Sequence, residues 1–481
     1  MPVWEPFAHR RAALTKVQAR LLAGETGADL MLAHADLLAQ LGQADAAQAA
    51  YLALLRSWPG HLAGLNNFAA LVHGQGYASA ARTLYAEAAR QHPRDPMSQV
   101  NLGGSLMEIG DGEGAQAAFA AALAVDPDFG PAHRGLARLA AERGDPAGCE
   151  RHLAAAFARS AVIEQPYVGA GPPIEVLLLI SGQPADIPLR QVLDPAIFKV
   201  TALAPAYFDP AAALPPHHLV FNAIGDADQC AEALEAAATL TALTQRPVIN
   251  APAKVIPTGR VAIGRRLAAL PGVIAAASVE ISRDLAVVAD AAAITALGLR
   301  FPIALRAAGF HTGQHFERID TIADLAPAAA RMPGERLIAM DFVDTRSADG
   351  LYRKYRVMVV GGALYPLHLA VSPHWKVHYF TAGMEQRADL RDEDAAFLAD
   401  MQGVIGASAV AALEQVCLAL GLDYGGIDFT LTPAGQVLVF EANATMVIAQ
   451  PPAGDIWDYR RAPTQRLVEA VRAMIRGRAG G

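Results

Sequence analysis

Small, aromatic and helix-breaking residues recur at intervals of 34 positions between residues 28 and 160. Such spacing is typical of antiparallel helix pairs. Small residues let the two helices of a pair approach closely, and an aromatic side chain fills the space between them. Glycine ends the first helix, and proline ends the second. The pattern predicts three full pairs and a fourth that drifts after Arg143. The recurring positions are Gly42, Gly76, Gly110 and Gly144; Pro59, Pro93 and Pro127; Tyr51, Tyr85 and Phe119; Ala35, Ala69, Gly103 and Ala137; and Ala47, Ala81, Ala115 and Cys149.

The period and the residue types of this region resemble tetratricopeptide repeats. The resemblance implies an all-α solenoid over residues 28–160, preceded by a leading helix within residues 1–27. Its concave face would bind a peptide or protein partner. The alternative is that the repeats form a homodimer or brace the rest of the chain. Residues 161–173 are rich in proline and glycine, so they are expected to form a linker.

The pattern changes to alternating strands and helices after residue 174. Residues 174–180 form a continuous apolar run, as a buried parallel strand does. Further strands are expected at 198–204, 218–224 and 247–250, with a helix at 227–243. This alternation predicts a small α/β domain over residues 174–252.

A second region of interest is a predicted β-hairpin near the end of the chain. Two apolar runs, 426–431 and 436–440, flank a Pro-Ala-Gly turn. Because side chains alternate faces along a strand, Asp428, Glu441 and Asn443 are expected to converge on one face. Hard oxygen donors of this kind suit Mg²⁺. The alternative is an edge hairpin whose acidic residues face solvent.

This hairpin resembles the metal-binding hairpin of the ATP-grasp superfamily, and the order of parts over residues 174–476 is similar to that family. The resemblance implies an ATP-grasp domain at 253–476, with residues 174–252 as the domain that precedes it in D-Ala–D-Ala ligase-like enzymes. It also implies ATP as a ligand and Mg²⁺, or alternatively Mn²⁺, held by Asp428, Glu441 and Asn443.

The same resemblance implies roles for other positions. Arg356 would stabilise charge on the transferring phosphate and the acyl group. Arg260 and Arg306 stand where the family usually has phosphate-binding lysines, which leaves efficient turnover open. The remaining implied sites are the phosphate-covering loop (Gly309, His311, Thr312, Gly313), the adenine-contacting strand (Met340, Asp341, Phe342) and a substrate loop (His374, Lys376, His378).

The amino-acid composition and net charge limit the classes of binding partner that are expected. The chain has 481 residues, 53% of them hydrophobic, and a formal net charge of −8. That charge argues against nucleic acid or an anionic membrane surface as the main partner. The cysteines Cys149, Cys230 and Cys417 have neither zinc nor disulfide spacing, which suits a reducing cytoplasm. Neither a secretory signal nor a membrane span is predicted.

Two functions therefore remain in competition. The first is an ATP- and Mg²⁺-dependent carboxylate–amine ligase that joins amino acids or peptides through an acyl-phosphate, with a small molecule or peptide as substrate. The second is a nucleotide-binding scaffold without ligase activity, whose main role is protein–protein interaction through the repeats. The complete Asp428, Glu441 and Asn443 set favours the ligase, whereas Arg260 and Arg306 favour the scaffold.

Overall fold

The computed structural model describes residues 8–183, 186–310, 313–378, 382–451 and 454–480. The helices in these ranges are α1 (Ala8–Leu22), α2 (Ala28–Gln40), α3 (Ala44–Ser57), α4 (Leu62–Gly74), α5 (Ala78–Gln91), α6 (Pro96–Glu108), α7 (Gly112–Val125), α8 (Gly130–Glu142), α9 (Pro146–Phe157), α10 (Ala231–Thr241), α11 (Pro252–Val255), α12 (Arg260–Leu267), α13 (Arg283–Val288), α14 (Ala291–Ala296), α15 (Ile322–Arg331), α16 (Ala388–Ala399), α17 (Met401–Ile405), α18 (Ala407–Leu420) and α19 (Arg461–Ala479).

The strands in the same ranges are β1 (Val162–Glu164), β2 (Ile174–Leu179), β3 (Phe198–Leu203), β4 (Leu219–Asn222), β5 (Val248–Ile249), β6 (Val273–Ala275), β7 (Ser278–Ser282), β8 (Ile303–Ala307), β9 (Phe316–Ile319), β10 (Arg336–Asp341), β11 (Tyr352–Val360), β12 (Ala363–Ser372), β13 (Tyr424–Leu431) and β14 (Val437–Asn443). The chain divides into two units: residues 1–175, 182–184 and 194–209 form the first, and residues 176–181, 185–193 and 210–481 form the second.

The first unit contains the predicted helix pairs, α2/α3, α4/α5, α6/α7 and α8/α9. Gly42, Gly76, Gly110 and Gly144 all have positive φ, between 71° and 91°, where the first helix of each pair ends. Glycine adopts this left-handed conformation without steric cost. The recurring small residues are buried between the helices. The helical-repeat prediction is therefore confirmed for residues 28–157.

Two details of the first unit differ from the expectation. The fourth pair is complete, because Asp145 caps α9 by accepting a hydrogen bond from the Gly148 N–H and Pro146 occupies the first turn. The expected linker contains β1, which pairs antiparallel with β3. Val162–Glu164 supplies ladder hydrogen bonds that a proline- and glycine-rich composition does not suggest.

The second unit begins with a parallel layer in which β4 lies between β2 and β5, as the buried apolar runs predict. Asn250 connects this layer to β13. Its side-chain amide donates to the Tyr424 carbonyl and accepts from the N–H groups of Asp423 and Tyr424, at 2.7 to 3.0 Å. Asn250 is buried with φ of 53°, a conformation that asparagine tolerates better than most residues. The predicted boundary at residue 252 falls within this unit and stays a prediction.

Two further sheets complete the second unit. One has the order β7-β10-β8-β9 and packs on α13, α14 and α15, whose buried side chains share one apolar core with the strands. The other has the order β12-β11-β13-β14-β6. The mixed α/β character expected after residue 174 is thus confirmed. Among the residues described, no helix has the length and apolar character needed to cross a bilayer.

Close packing in the repeats gives a first prediction. A Cβ atom added at Gly103 would approach the Phe119 ring to 2.6 Å, whereas one added at the neighbouring Gly104 meets nothing within 4 Å. Gly103→Ala should therefore destabilise the repeats by about 1–3 kcal/mol through overpacking. Gly104→Ala should stabilise them by about 0.5–1 kcal/mol, since alanine favours helix. Helical unfolding followed by circular dichroism measures both. Equal effects of the two substitutions would contradict this packing.

Candidate functional site

The predicted hairpin forms, and its strand register decides which side chains share a face. Asp428 on β13 lies opposite Glu441 on β14, and Gly426 lies opposite Asn443. An irregularity follows Asp428, so that Phe429 lies opposite Val439 and Phe440 is the additional residue. Without this β-bulge, Glu441 would point to the other face of the sheet. The bulge therefore brings Asp428, Glu441 and Asn443 to one face.

The line of polar side chains that begins with Glu441 and Asp428 continues across the sheet. Arg356 on β11 is the partner of Asp428, and His368 on β12 is the partner of Arg356. A second irregularity follows Arg356, next to the row. Partners in adjacent strands point to the same face. His368, Arg356, Asp428 and Glu441 thus form a line of polar side chains across four strands.

Asp428 is completely buried and held by two cations. Its carboxylate accepts from Arg356 Nε at 2.5 Å and from a second Arg356 nitrogen at 2.8 Å, and Lys354 Nζ lies 2.6 Å away. Burial alone would raise the pKa of Asp428, but Arg356 and Lys354 lower it well below its usual range. Burial opposes the charge of Arg356 as well, yet Asp428 and Glu441 raise the pKa of the guanidinium. Asp428 and Arg356 are therefore both charged at neutral pH.

Glu441 is the second carboxylate of the cluster and is partly exposed. Arg260 donates to its Oε1 at 3.0 Å, and Asn443 Nδ2 donates to the same oxygen at 2.9 Å. Burial would raise the pKa of Glu441, but Arg260 and more distant cations lower it. The Asn443 oxygen accepts from the Thr445 N–H and hydroxyl in this structure. The two carboxylates are therefore ionised, and each is paired with a cation.

Arg306 carries a charge that the protein only partly compensates. It lies on β8 and is buried, with its guanidinium donating to the Phe310 carbonyl. Burial and repulsion from Arg260 lower the pKa of Arg306 to about 10, although Glu441, Asp226 and Asp228 attract it. An anion bound beside Arg260 and Arg306 would relieve this repulsion. The phosphate-binding roles of Arg260 and Arg306 stay predictions.

The predicted substrate loop contacts the predicted glycine loop. Lys376 Nζ donates to the carbonyls of Gly313 and Phe316, each at 3.3 Å. The Trp375 ring packs edge-on against Phe316 and Phe342, with centroids 5.2 and 5.4 Å apart. Gly309 and Gly313 have φ of 82° and 73°, as tight loop turns require. His311 and Thr312 lie outside the described residues. Lys376 thus connects the two loops, and Trp375 packs beside this connection on Phe316 at the start of β9.

The strand expected to contact adenine is β10. Its Asp341 N–H donates to the Ala277 carbonyl, and the Phe342 N–H donates to the Pro302 carbonyl. Met340 pairs with Ser278 and Ala304 within the sheet. Both of these N–H groups are therefore already paired within the protein. The roles of Met340, Asp341 and Phe342 stay predictions.

Two histidines near the cluster, His368 and His378, are neutral at physiological pH. His378 is partly buried, and burial, Lys354 and Arg356 lower its pKa. Complete burial and Arg356 hold the pKa of His368 well below its usual range. The His374 N–H donates to the Ser372 hydroxyl, and no contact of the His374 ring with the cluster is recorded among the described residues. The substrate roles predicted for His374 and His378 stay predictions.

The side chains of this cluster provide only part of the ligands that a metal ion needs. Among the described residues, no group of three histidine, cysteine, aspartate or glutamate side chains is arranged to hold a metal ion. Asp428, Glu441 and Asn443 nevertheless present oxygen atoms on one face, as Mg²⁺ prefers. Mg²⁺ commonly keeps several waters and shares phosphate oxygens, so two carboxylates are a sufficient protein contribution. The residues fit Mg²⁺ together with a polyphosphate better than the metal alone.

Sequence reasoning missed Lys354 and His368. Lys354 stands two residues before Arg356, so strand alternation alone places both on one face, and this signal was available. His368 could not have been found in this way, because its pairing with Arg356 depends on a bulge that shifts the register.

Comparisons with known proteins concern the repeats. No protein-family model matches the sequence, and no curated protein matches it. Similar solved structures include MamA from Desulfovibrio magneticus RS-1 (17% identity, 31% of this chain, 84% of that chain, TM-score 0.29). They also include a tetratricopeptide repeat protein from Parabacteroides merdae (18%, 31%, 60%, 0.29) and a thermophilic TPR protein from Thermus thermophilus (22%, 31%, 82%, 0.27). At TM-scores this low, these similarities support no conclusion about the fold or function of this protein. The repeat assignment depends on the helix pairs themselves, and the ATP-grasp resemblance stays a prediction.

Removing the buried carboxylate should be costly. Asp428→Asn leaves Arg356 and Lys354 facing a neutral amide, and we expect the unliganded protein to lose about 3–5 kcal/mol of unfolding free energy. The loss should be constant from about pH 5 to 8. The pKa of Asp428 is lowered on folding, so its contribution is complete above the unfolded value of about 3.9 and declines only below it. Denaturant unfolding at several pH values measures this.

The matched control is Asp389→Asn. Asp389 makes the same two-pronged contact with Arg387, at 2.8 and 2.6 Å, but on the surface. Solvent screens such pairs, so little change is expected. Similar losses for the two substitutions, or a loss for Asp428→Asn that varies across the neutral range, would contradict the assignment.

Proposed function

We propose that the second unit binds ATP with Mg²⁺ and uses it to join a carboxylate to an amine. The observation that supports this proposal is the cluster in which Arg260, Arg306, Arg356 and Lys354 surround the ionised Asp428 and Glu441. A site for a metal–polyphosphate needs carboxylates for the metal and cations for the phosphates on one face.

The cations have separable tasks in this proposal. Arg260 and Arg306 would bind phosphate oxygens, and a guanidinium can do so through two hydrogen bonds. Arg356 and Lys354 would exchange part of their contact with Asp428 for the transferring phosphoryl group. When bound, Mg²⁺ would neutralise charge on the phosphate oxygens. Folding already brings these side chains to one face, and nucleotide binding would then replace part of their ion pairs with contacts to phosphate.

The chemistry would proceed in two steps. An oxygen of the substrate carboxylate forms a bond to the γ-phosphorus while the bond from that phosphorus to ADP breaks. The amine nitrogen then attacks the acyl carbon, the carbon–oxygen bond to phosphate breaks, and the amine loses a proton. Water would destroy the acyl-phosphate, so a closed site is required. The contact from Lys376 to Gly313, with Trp375 packed on Phe316 at the start of β9, is suited to excluding water.

The repeats would bind a peptide or protein partner. Helix pairs of this kind expose a long face to which an extended segment can bind. Polar side chains also join successive pairs: Asn101 donates to Asn66, and Asn66 donates to Ser98. We infer that the partner either brings a substrate or anchors the protein, with self-association as the alternative.

A second candidate is a nucleotide-binding scaffold without ligase activity. It is favoured by the arginines at the two phosphate positions, and by the engagement of Arg260 with Glu441 in the unliganded structure. Both candidates require nucleotide binding, whereas only the ligase releases ADP in response to a carboxylate and an amine. This difference separates them.

The ligase proposal predicts Mg²⁺-dependent ADP release when amino acids or short peptides are screened as substrates. Glu441→Gln removes a metal ligand and should lower this rate by about 100-fold or more. The matched control is Glu469→Gln on the exposed surface of α19, which should leave the rate unchanged. Binding of ATP without ADP release under any condition would favour the scaffold. Failure to bind Mg·ATP at all would contradict both candidates.

A further inference from the structure

The last helix pair contains two histidines whose rings meet. His133 lies near the start of α8 and His152 lies in the middle of α9. Their Nδ1 atoms are 3.1 Å apart, with ring centroids at 5.4 Å and planes inclined by 34°. Both side chains are half-buried, so solvent and small ions can reach them. Neither residue belongs to the unit that contains the carboxylate cluster.

The hydrogen bond made by Nε2 of His133 determines whether Nδ1 of the same ring carries a proton or a lone pair. Nε2 is 2.9 Å from the Pro127 carbonyl oxygen, which can only accept a hydrogen bond. Nε2 therefore carries the proton, and in the neutral ring Nδ1 presents a lone pair. Histidine ligands of metals commonly donate their other ring N–H to a backbone carbonyl in this way, which holds the ring in position.

His152 can supply a second lone pair at the same point. In its neutral form His152 has a single ring proton, which can reside on Nδ1 or on Nε2. With the proton on Nδ1 it donates to His133. With the proton on Nε2, both Nδ1 atoms present lone pairs, and a cation within bonding distance of both nitrogens can accept them.

The separation of the two nitrogens suits a shared metal ion. Zn–N bonds measure about 2.0–2.1 Å, so two nitrogens bound to one zinc at angles between about 90° and tetrahedral are about 2.9–3.4 Å apart. The observed 3.1 Å falls in this interval. Binding requires only a change of tautomer at His152, and no proton is released from either ring.

We propose that His133 and His152 chelate a divalent transition metal ion such as Zn²⁺ through their Nδ1 atoms. Imidazole is a preferred ligand of Zn²⁺, Ni²⁺ and Cu²⁺, whereas Mg²⁺ prefers oxygen. No cluster of three or more histidine, cysteine, aspartate or glutamate ligands is found in the part of the chain that the structure describes. Water therefore completes the coordination. The ion would connect α8 to α9 and stabilise the packing of the last helix pair.

The test is titration of the full chain with Zn²⁺ at about pH 7.5, with excess Mg²⁺ present to occupy oxygen-rich sites. Either His133→Asn or His152→Asn should weaken one binding event by about tenfold or more, and the double variant should lose no more than each single variant, since chelation needs both rings. His73→Asn is the control, because His73 is a surface histidine of the same unit paired with Glu108. It should leave this binding event unchanged.

A second measurement avoids substitution. Pulsed electron paramagnetic resonance of the unmodified chain with one equivalent of Cu²⁺ should detect two coordinated imidazoles. Titrations of His133→Asn and His152→Asn that match the unmodified chain, or a copper spectrum with one imidazole or none, would overturn the proposal. The contact would then be an ordinary hydrogen bond between two imidazole rings.

Discussion

Burial of the Asp428 carboxylate in the middle of a sheet is the constraint on which the second unit depends. A lone buried carboxylate would be protonated or would destabilise the fold, because charge is costly in a medium of low dielectric constant. Arg356 and Lys354 compensate that charge from the adjacent strand. The three side chains can meet only if β11 and β13 keep their register, so the interaction links the folding of the sheet to the charge pattern of the site. Evolution of a purely structural core would more simply place apolar residues here.

Two bulges give the row its shape. The extra residue at Phe440 keeps Glu441 on the face of Asp428, and the irregularity after Arg356 brings His368 into line with that arginine. Alternation along a strand is readable from sequence, and it puts Glu441 and Asn443 on one face of β14. It does not decide whether Asp428 on β13 shares that face, since without the bulge simple pairing would have put Glu441 on the opposite face. A bulge leaves little mark in a single sequence, whereas Lys354 was within reach of alternation alone.

The repeats were more predictable because their signal is periodic and local. Glycine with positive φ, a buried small residue and a ring each recur at one interval, and each class has one physical task. The His133–His152 contact could not be foreseen from that pattern. It depends on how α8 and α9 face each other, and on the Pro127 carbonyl that orients His133. In the repeats and in the sheet alike, the sequence does not predict which side chains of different helices or strands contact each other.

The central claim is that the ion pairs around Asp428 hold the place of a metal–polyphosphate. A crystal structure with Mn²⁺ and a non-hydrolysable ATP analogue tests it most directly, because manganese is identified by its anomalous scattering. The account predicts an anomalous peak bonded to carboxylate oxygens of Asp428 and Glu441, with the phosphates beside Arg260 and Arg306. A nucleotide bound elsewhere, or a chain in which Arg356 and Lys354 keep Asp428 fully paired and manganese is absent from the cluster, would contradict it.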